Sequence, residues 1–512
     1  MAAQPPLQLT GRDLTVGDVV AVARRGRPVA LDPAARDRMA ASRAVIERVV
    51  ASGETVYGVT TGFGDLADVR ISPEQTATLQ RNLVRSHAAG VGPPLPDEVV
   101  RATLLLRVNA LAVGLSGVRP ELADLLVAML NAGVHPVVPS RGSVGASGDL
   151  APLAHLALVV IGEGEAEVAG GRLPGGEALA AAGLEPIELG AKEGLALLNG
   201  TQLMAALGAL AVADARQLVL TADVVGAMSL EALLGTASAF DEALIGARPH
   251  PGQVASAARL RRLLAESEIG ASHRSSPHRV QDAYSLRCMP QVHGAVLDAL
   301  APLEDALAIE MNAATDNPLV FPDGRVISGG NFHGEPLALA LDHARLALTA
   351  LATISERRTA RLVDARLSGL PAFLAAEPGL QSGLMIAQYT AAALVNELKT
   401  TAHPASADTI PTSANQEDHV SMGATSGLLL QEAVDRVTSV LAIEALCAAR
   451  GLDLRAPLRP GQGVAAAHAT VRTAVPPLEA DRPPAPDIAA LARVIDEGRL
   501  AAVAEPAGDR ND

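Results

Sequence analysis

The sequence has very few aromatic residues: no tryptophan, three tyrosines and five phenylalanines in 512 residues. Aromatic side chains supply much of the buried area of most domains, so a core without them must be aliphatic. Each aromatic residue is therefore conspicuous. Tyr57 and Tyr284 stand out most, because both occur in polar or glycine-flanked stretches and not on apolar helix faces.

Cysteine and positive charge are also scarce. The two cysteines, Cys288 and Cys447, provide neither a disulfide framework nor a zinc site. Lys and Arg number 41 against 56 Asp and Glu, which gives a net charge of −15. Binding to nucleic acid requires a basic face. The composition therefore excludes a nucleic-acid partner and favours a protein of the reducing cytoplasm.

Long apolar runs are missing as well. The best candidate for a membrane span, residues 150–161, contains His155 and falls short of the roughly 20 residues that a bilayer requires. The N-terminal stretch MAAQPPLQLTGRD has no basic region followed by an apolar one. We therefore expect neither a signal peptide nor a membrane partner.

Alanine and leucine dominate the chain, and both favour helix. Asp32 and Pro33 are typical of a helix N-terminus, and Gly53 of the C-terminus of the same helix. Two stretches, 164–179 and 319–330, have the pattern of β-hairpins. We predict a mainly α protein, in which long bundled helices gather short polar stretches at their ends and form a pocket there.

The most distinctive polar stretch is 139–150, PSRGSVGASGDL, with Ala146-Ser147-Gly148 at its centre. Taken alone, it predicts a tight glycine turn. Asp149 and the apolar run behind it indicate the start of a helix, where backbone N–H groups point outward. GASGD does not fit the G-x-S-x-G nucleophile elbow. A serine-based dyad assembled in space stays open.

Several other candidates have an ordinary explanation beside a functional one. Tyr57 and Tyr284 are either interfacial tyrosines or phenolic acid/base groups. His87 is either a helix-end residue or a catalytic one. Gln281, Tyr284 and Arg287 follow one another at intervals of three, so on a helix they would share a face. The arginine there could bind a carboxylate in two-point fashion or form an ordinary ion pair.

Asn199 precedes a glycine, which turn chemistry explains. Glu417-Asp418-His419 groups three titratable side chains, which suits a helix N-terminus. No HExxH pattern and no paired cysteines occur in the sequence. We therefore predict no metal site.

The chain contains a series of characteristic stretches, in this order between about residues 56 and 423: VYGVTTGFG, SHAAGVG, GSVGASGDLAPLAH, KEGLALLNGTQ, VQDAYSLRC, ATDNPLV, ISGGNFHGEP and TSANQEDHVSMG. Together they resemble the aromatic amino acid ammonia-lyases, and most closely the branch of that family that acts on histidine. A series in one order is far more specific than any single motif.

The resemblance implies a prosthetic group made from the chain itself. In that family an Ala-Ser-Gly tripeptide cyclises with loss of two waters to 4-methylidene-imidazole-5-one (MIO), an electrophile. Here the tripeptide would be Ala146-Ser147-Gly148, with Asp149 assisting the proton transfers. The glycines would then permit a backbone reaction, because a β-carbon at Gly148 would obstruct it.

The same resemblance implies roles for the other candidates. Tyr57 would be the catalytic base or proton relay, and Tyr284 would lie near the MIO. Arg287 would hold the substrate carboxylate, and Asn199 and Gln281 would hydrogen-bond the carboxylate or the MIO oxygen. Phe332 would pack against the substrate and the MIO. His87 and Glu417 would bind the imidazole ring.

The expected reaction is conversion of L-histidine to trans-urocanate and ammonia, the first step of histidine degradation. Ser86-His87 and the QEDH stretch around Glu417 follow the histidine branch, whereas Arg85 and Asn396 depart from it. Alternatives that keep the chemistry are a tyrosine or phenylalanine ammonia-lyase and an MIO aminomutase. A non-catalytic helical scaffold is the alternative from a different class.

The implied fold is the long-helix bundle of the ammonia-lyase/fumarase-like type. We expect an N-terminal region, 1–205, that carries the MIO loop, and a helical bundle with the C-terminal region, 206–512. The resemblance further implies a cytoplasmic homotetramer.

Overall fold

The structure is a computed structural model that describes residues 5–56, 58–61, 71–72, 75–274 and 280–505. Helix accounts for 62% and strand for 7% of it, which confirms the mainly α prediction. The helices are, in chain order, α1 Val16–Arg25, α2 Pro33–Ser52, α3 Thr76–His87, α4 Asp97–Ala112, α5 Pro120–Ala132, α6 Leu150–Val160, α7 Gly175–Ala181, α8 Glu193–Leu198, α9 Gln202–Ala232, α10 Glu242–Gly246, α11 Pro251–Leu263, α12 Glu268–Ser272, α13 Tyr284–Arg287, α14 Met289–Glu310, α15 Glu335–Val363, α16 Ala365–Ser368, α17 Met385–Thr401, α18 Gly423–Asp453, α19 Gln462–Ala474, α20 Pro484–Asp496 and α21 Ala501–Ala504.

The strands are short and form small separate sheets. They are β1 Leu7–Leu9, β2 Val29–Leu31, β3 Val91–Pro94, β4 His135–Pro136, β5 Pro139–Arg141, β6 Glu165–Val168, β7 Gly171–Pro174, β8 Leu319–Val320 and β9 Val326–Ile327. Strands β6 and β7 pair antiparallel with Val168 opposite Gly171, and β8 pairs antiparallel with β9. Both predicted hairpins are confirmed. The pairing of β3 with β5 attaches the segment after α3 to the start of the stretch 139–150, the glycine-rich loop.

Helix α2 shows how local sequence signals set the helix limits. The Asp32 side chain accepts a hydrogen bond from the Ala35 amide at 3.0 Å, and Pro33 occupies the first turn. Gly53 ends the helix in the left-handed conformation, with φ 67°. These are the limits that the sequence predicted, because caps act over only a few residues.

By packing, the chain divides into two units, each assembled from separate pieces of sequence. Unit 1 contains Met1–Ala213, Pro302–Asp342 and Pro404–Leu428, and unit 2 contains Asp214–Ala301, His343–His403 and Leu429–Asp512. Helices α9, α14, α15 and α18 each have residues in both units. A domain boundary at residue 205 stays a prediction.

Among the residues that the structure describes, two helices, α9 and α15, are long and apolar enough to cross a membrane by length and composition alone. Both helices are longer than the stretch 150–161, which is the best candidate from the sequence alone. Their apolar residues are dispersed along many turns, with polar residues between them. In the structure, 72% of the apolar window of α9 and 56% of that of α15 are buried. This burial is typical of core helices.

Unit 2 contains a fully buried charge network. Arg358 donates from Nη2 to Glu444 at 2.8 Å, and Glu444 also accepts from the Ser229 hydroxyl at 2.6 Å. His293 lies between Arg358 and Asp223, and its Nδ1 is 2.8 Å from the Asp223 carboxylate. All these side chains are 0% exposed, so each depends on the others for its hydrogen bonds.

We expect Arg358→Met to destabilise the protein by about 3–5 kcal/mol, because it leaves the Glu444 carboxylate buried without its counter-charge. Urea denaturation followed by circular dichroism measures the change. The matched control is Arg366→Met, because the Arg366 side chain is 89% exposed in its ion pair with Asp364. Equal effects of the two substitutions would contradict a stabilising role for the network.

Candidate active site

The loop that carries Ala146-Ser147-Gly148 has an unusual backbone. Ser147 has φ 52° and Gly148 has φ 76°, and the left-handed conformation of a non-glycine residue stores strain of about 1–3 kcal/mol. Gly148 forms an isolated parallel bridge with Gly200. A β-carbon on Gly148 would overlap the carbonyl group of Gly200. No residue other than glycine fits at position 148.

Asn199 holds the loop from the other side. It follows the last residue of α8, and its Nδ2 donates to the carbonyl oxygen of Ser147 at 2.7 Å. Its own carbonyl accepts from Arg107 Nη1 at 2.8 Å. The peptide between Ser147 and Gly148 is therefore held through its oxygen by the side chain of a residue whose backbone carbonyl is bound by Arg107.

Asp149 is fully buried beneath the loop. The Ser143 hydroxyl donates to its Oδ1 at 2.8 Å, and the Met204 amide donates to its Oδ2 at 3.0 Å. Burial raises the pKa of Asp149 to about 6, although these hydrogen bonds and the charge of Arg107 oppose the shift. Asp149 precedes α6 but makes no capping bond to it. One carboxylate oxygen thus binds Ser143 in the loop, and the other binds the first turn of α9.

A second loop, from the segment before α18, packs onto the first. The Met422 amide donates to the Val144 carbonyl at 2.8 Å, and the Ser421 hydroxyl donates to the Gly145 carbonyl at 3.0 Å. Gly334 also donates to the Gly145 carbonyl, at 3.2 Å. Segments distant in sequence therefore converge on the glycine-rich loop.

Glu417 is brought to Ser147 by this packing. The Ser147 hydroxyl donates to Glu417 Oε1 at 2.9 Å, and the Thr412 hydroxyl donates to Oε2 at 2.7 Å. Thr412 and Glu417 also pair through their backbones in an antiparallel bridge. One carboxylate oxygen thus faces Ser147, and the other is used to orient the side chain.

His87 ends α3 and contributes a neutral imidazole. Its Nδ1 lies 2.9 Å from the Leu83 carbonyl, so Nδ1 carries the hydrogen and Nε2 is left as an acceptor. Burial lowers the pKa of His87, while the Leu83 carbonyl and the charge of Glu417 oppose the change. The glycine segment after His87 is held by His155, whose Nε2 accepts from the Gly90 amide at 3.1 Å.

The structure thus brings together in unit 1 most of the residues predicted to act: Ala146, Ser147, Gly148, Asp149, Asn199, His87 and Glu417. Phe332 also belongs to unit 1 and is half-buried just before α15. Tyr57 lies outside the described residues.

Three further predicted residues belong to unit 2. Tyr284 and Arg287 are the ends of α13, and the Arg287 guanidinium lies 4.7 Å from the centre of the Tyr284 ring. Tyr284 is 72% exposed. Gln281 precedes Ala283, the N-cap of α13. The shared helix face therefore holds for Tyr284 and Arg287 but not for Gln281, because the helix has a single turn.

Arg85, a departure from the histidine branch, is directed away from the loop. Its guanidinium binds the carboxylate of Glu163 through two bonds of 2.8 and 2.6 Å. Asn396, the other departure, is exposed on α17. Neither side chain takes part in the group around Ser147.

Sequence reasoning missed several residues that shape the site, chiefly Ser143, Thr412, His155 and Arg107. The one with a readable signal is Arg107, since it interrupts the apolar run LLLRVNAL of α4. The other three gave no such signal. Ser143 and Thr412 bind carboxylates six and five residues away, and His155 binds the Gly90 amide, 65 residues away.

One group in the described part of the chain could hold a metal ion: His333, Glu335 and His419, whose ligand atoms lie within 4.8 Å of one another. Both ring nitrogens of His333 already have partners, the His419 carbonyl at 3.2 Å and the Glu335 amide at 3.4 Å. A metal would have to displace one of these bonds. The group therefore adds support to the loops around Ser147 without acting as a preformed metal site.

Comparison with known proteins gives a consistent result. A family model described as aromatic amino acid lyase matches residues 14–473. A histidine ammonia-lyase of Anaeromyxobacter sp. (strain K) is 58% identical over 503 residues, which cover 96% of this chain and 99% of that protein. A histidine ammonia-lyase of Sorangium cellulosum (strain So ce56) is 57% identical over 98% of this chain and 100% of that protein.

Solved structures of the same kind superpose along nearly the whole chain. Histidine ammonia-lyase from Trypanosoma cruzi gives a TM-score of 0.91 at 45% identity, covering 98% of this chain and 95% of that one. Tyrosine aminomutase from Streptomyces globisporus gives a TM-score of 0.92 at 38% identity, covering 98% of each chain. The fold is therefore common to this chain and to proteins described as a histidine ammonia-lyase and a tyrosine aminomutase.

Proposed function

Because the chain belongs to the aromatic amino acid lyase family, we propose that it eliminates ammonia from L-histidine to give trans-urocanate, the first step of histidine degradation. The observation that carries the substrate choice is the position of Glu417, which lies against Ser147 with the neutral imidazole of His87 nearby. The relatives named histidine ammonia-lyase support the same choice, since eight of them are 53–58% identical over nearly the full chain.

We propose that Ala146-Ser147-Gly148 forms the MIO group, and the backbone around it fits that reaction. The Gly148 nitrogen would bond to the Ala146 carbonyl carbon. That carbonyl oxygen would leave as water with the hydrogens of the Gly148 and Ser147 nitrogens, and a C=N bond to the Ser147 nitrogen would form. Ser147 would then lose its hydroxyl with its α-proton as the second water. The absence of a β-carbon at Gly148 allows its close packing against Gly200, and the Ser147 carbonyl oxygen that Asn199 binds would become the exocyclic carbonyl oxygen of the MIO.

The MIO supplies an electrophile, which an elimination of ammonia needs because no ordinary side chain is electrophilic. Asp149 supports its formation as a proton acceptor, since its buried carboxylate has a pKa of about 6 and is ionised at neutral pH. Asn199 withdraws electron density from the ring through its hydrogen bond to the Ser147 oxygen.

We propose the remaining roles from the resemblance of the motifs. Tyr57 would remove or relay the β-proton of the substrate, and Tyr284 would help to position the amine. Arg287 and Gln281 would hold the substrate carboxylate, and Phe332 would pack against the ring. Arg287 supports this assignment, since its Nε is buried with no hydrogen-bond partner in the residues that the structure describes.

An imidazole ring suits His87 and Glu417 better than a phenyl ring does. Glu417 can accept from one ring N–H and His87 Nε2 from the other, so the pair matches an imidazole ring that carries hydrogen on both nitrogens. A phenyl ring would leave both groups unpaired at a cost of about 1–3 kcal/mol each. The tyrosine and phenylalanine alternatives therefore lack partners for these two residues.

We also propose a cytoplasmic homotetramer. Helices α15 and α17 expose large apolar side chains that a partner subunit could cover: Leu339 and Leu346 on α15, and Ile386 and Tyr389 on α17, each 55–60% exposed. The two cysteines are free, as a reducing compartment would keep them.

Light scattering tests the assembly, with four chains of 52.2 kDa per particle as the expected result. Leu346→Glu should reduce the particle size, because it places a charge in an apolar interface. Leu244→Glu is the control, since Leu244 is 57% exposed on the short helix α10. A monomer for the unaltered chain would refute the tetramer.

The function itself is tested by intact-mass measurement followed by assays of histidine, tyrosine and phenylalanine. We expect a deficit of two waters in the peptide that contains 146–148, and urocanate from histidine alone. Ser147→Ala should abolish both while the protein remains folded.

An unmodified mass would instead favour the non-catalytic scaffold. Cinnamate or coumarate without urocanate would shift the assignment to the phenylalanine or tyrosine lyases, and a β-amino acid product would indicate an aminomutase.

Glu417→Gln should lower kcat/KM for histidine by roughly 10- to 100-fold, because the ring N–H loses a charged acceptor. The two-water deficit should still form. Asp418→Asn is the matched control, since Asp418 is the exposed neighbour of Glu417. An equal loss of activity and of the mass deficit would assign Glu417 to MIO formation, through its bond to the Ser147 hydroxyl, and would contradict its role in ring binding.

A further inference from the structure

Arg107 carries a guanidinium that is completely buried beneath the glycine-rich loop. It comes from the apolar helix α4 and is 0% exposed. Nη1 donates to the Asn199 carbonyl at 2.8 Å, whereas Nε and Nη2 have no hydrogen-bond partner within the described ranges. A buried charge with so few partners is costly. Stability alone is therefore a poor reason for an arginine at this position.

The guanidinium lies directly against the Asn199-Gly200 turn. Gly200 has φ +143°, and a β-carbon on it would be 3.0 Å from Arg107 Nη2. The Gly200 carbonyl accepts the Asp149 amide hydrogen at 2.7 Å, and the Asn199 side chain binds the Ser147 carbonyl at 2.7 Å. Arg107 thus supports a turn that is hydrogen-bonded to the backbone on both sides of Gly148, the residue whose nitrogen must react.

The charge of Arg107 also acts on buried carboxylates. Burial lowers the pKa of Arg107 to about 10, and the charges of Asp316 and Asp149 oppose this change. Asp316 already has a partner in Lys192, whose Nζ lies 2.8 Å from Oδ2. For Asp149, the field of Arg107 favours the ionised form against the effect of burial.

We infer that Arg107 is a positioning residue for formation of the MIO group. It fixes the Asn199-Gly200 turn so that the Gly148 nitrogen can reach the Ala146 carbonyl carbon, and it keeps the nearby carboxylate ready to accept the proton that this nitrogen releases. The inference rests on the proposed function, because it assumes that the tripeptide cyclises. It assigns Arg107 no contact with the substrate.

Arg107→Met and Arg107→Lys in the full chain test this inference. The fraction of peptide 146–148 with the two-water deficit is followed by mass spectrometry at intervals after synthesis, and circular dichroism reports folding. We expect Arg107→Met to form the deficit roughly tenfold to a hundredfold more slowly, as for other misplaced reacting groups. Arg107→Lys should recover part of the rate, because it keeps the charge but not the forked donor.

Arg345→Met is the matched control. Arg345 is likewise 0% exposed, and it belongs to unit 2, where it donates to the His403 carbonyl at 2.9 Å. This variant should lose stability but form the mass deficit at the rate of the unaltered chain. A comparable delay in both methionine variants would mean that slow formation only reflects a weakened fold, and would overturn the inference.

The remaining outcomes are equally decisive. A folded Arg107→Met or Arg107→Lys protein that forms the deficit at the unaltered rate would refute the positioning role. If Arg107→Met does not fold, the lysine variant decides alone, since it preserves the buried charge. A missing deficit in the unaltered chain would instead refute the proposed function, so the two failures are distinguishable.

Discussion

The contact between the backbones of Gly148 and Gly200 is the constraint on which the rest of the site depends. It is so close that a β-carbon on Gly148 would overlap the Gly200 carbonyl group. It also carries the bond from the Asp149 amide to the Gly200 carbonyl. Because the approach is between main chains, it sets the position of the tripeptide 146–148 independently of any rotamer. The side chains around it then need only to hold two short turns together.

Buried polar groups hold these turns within an aliphatic protein. Arg107 and Asp149 lie beneath the loop in unit 1, and Asn199 links the two turns through the Ser147 carbonyl. Such groups are costly to bury, so a movement that broke one of their hydrogen bonds would be unfavourable, and this makes the two turns rigid. This rigidity suits a site where a backbone nitrogen must meet a carbonyl two residues earlier. Unit 2 uses the same principle in the network around Arg358.

Local sequence signals predicted the parts of the structure that depend on neighbouring residues. The limits of α2 follow from Asp32, Pro33 and Gly53, and the hairpin of β6 and β7 follows from the turn glycines between them. The same reasoning failed for Gln281, because three residues at equal intervals share a face only if the helix includes them all. It also gave no hint that Asp149 would turn towards the loop and leave α6 uncapped.

The sequence by itself determined which residue types were present. They are an Ala-Ser-Gly tripeptide flanked by glycines, a histidine that can be neutral near pH 7, a glutamate, and an asparagine beside a glycine. Their order resembles one family closely enough to indicate the chemistry. Only the tertiary structure decided that Glu417 meets Ser147, that Arg85 pairs with Glu163 away from the site, and that Arg107 supports the turn at Asn199. The physical reason is distance along the chain. These contacts join residues separated by many helices, and their geometry is set by how those helices pack.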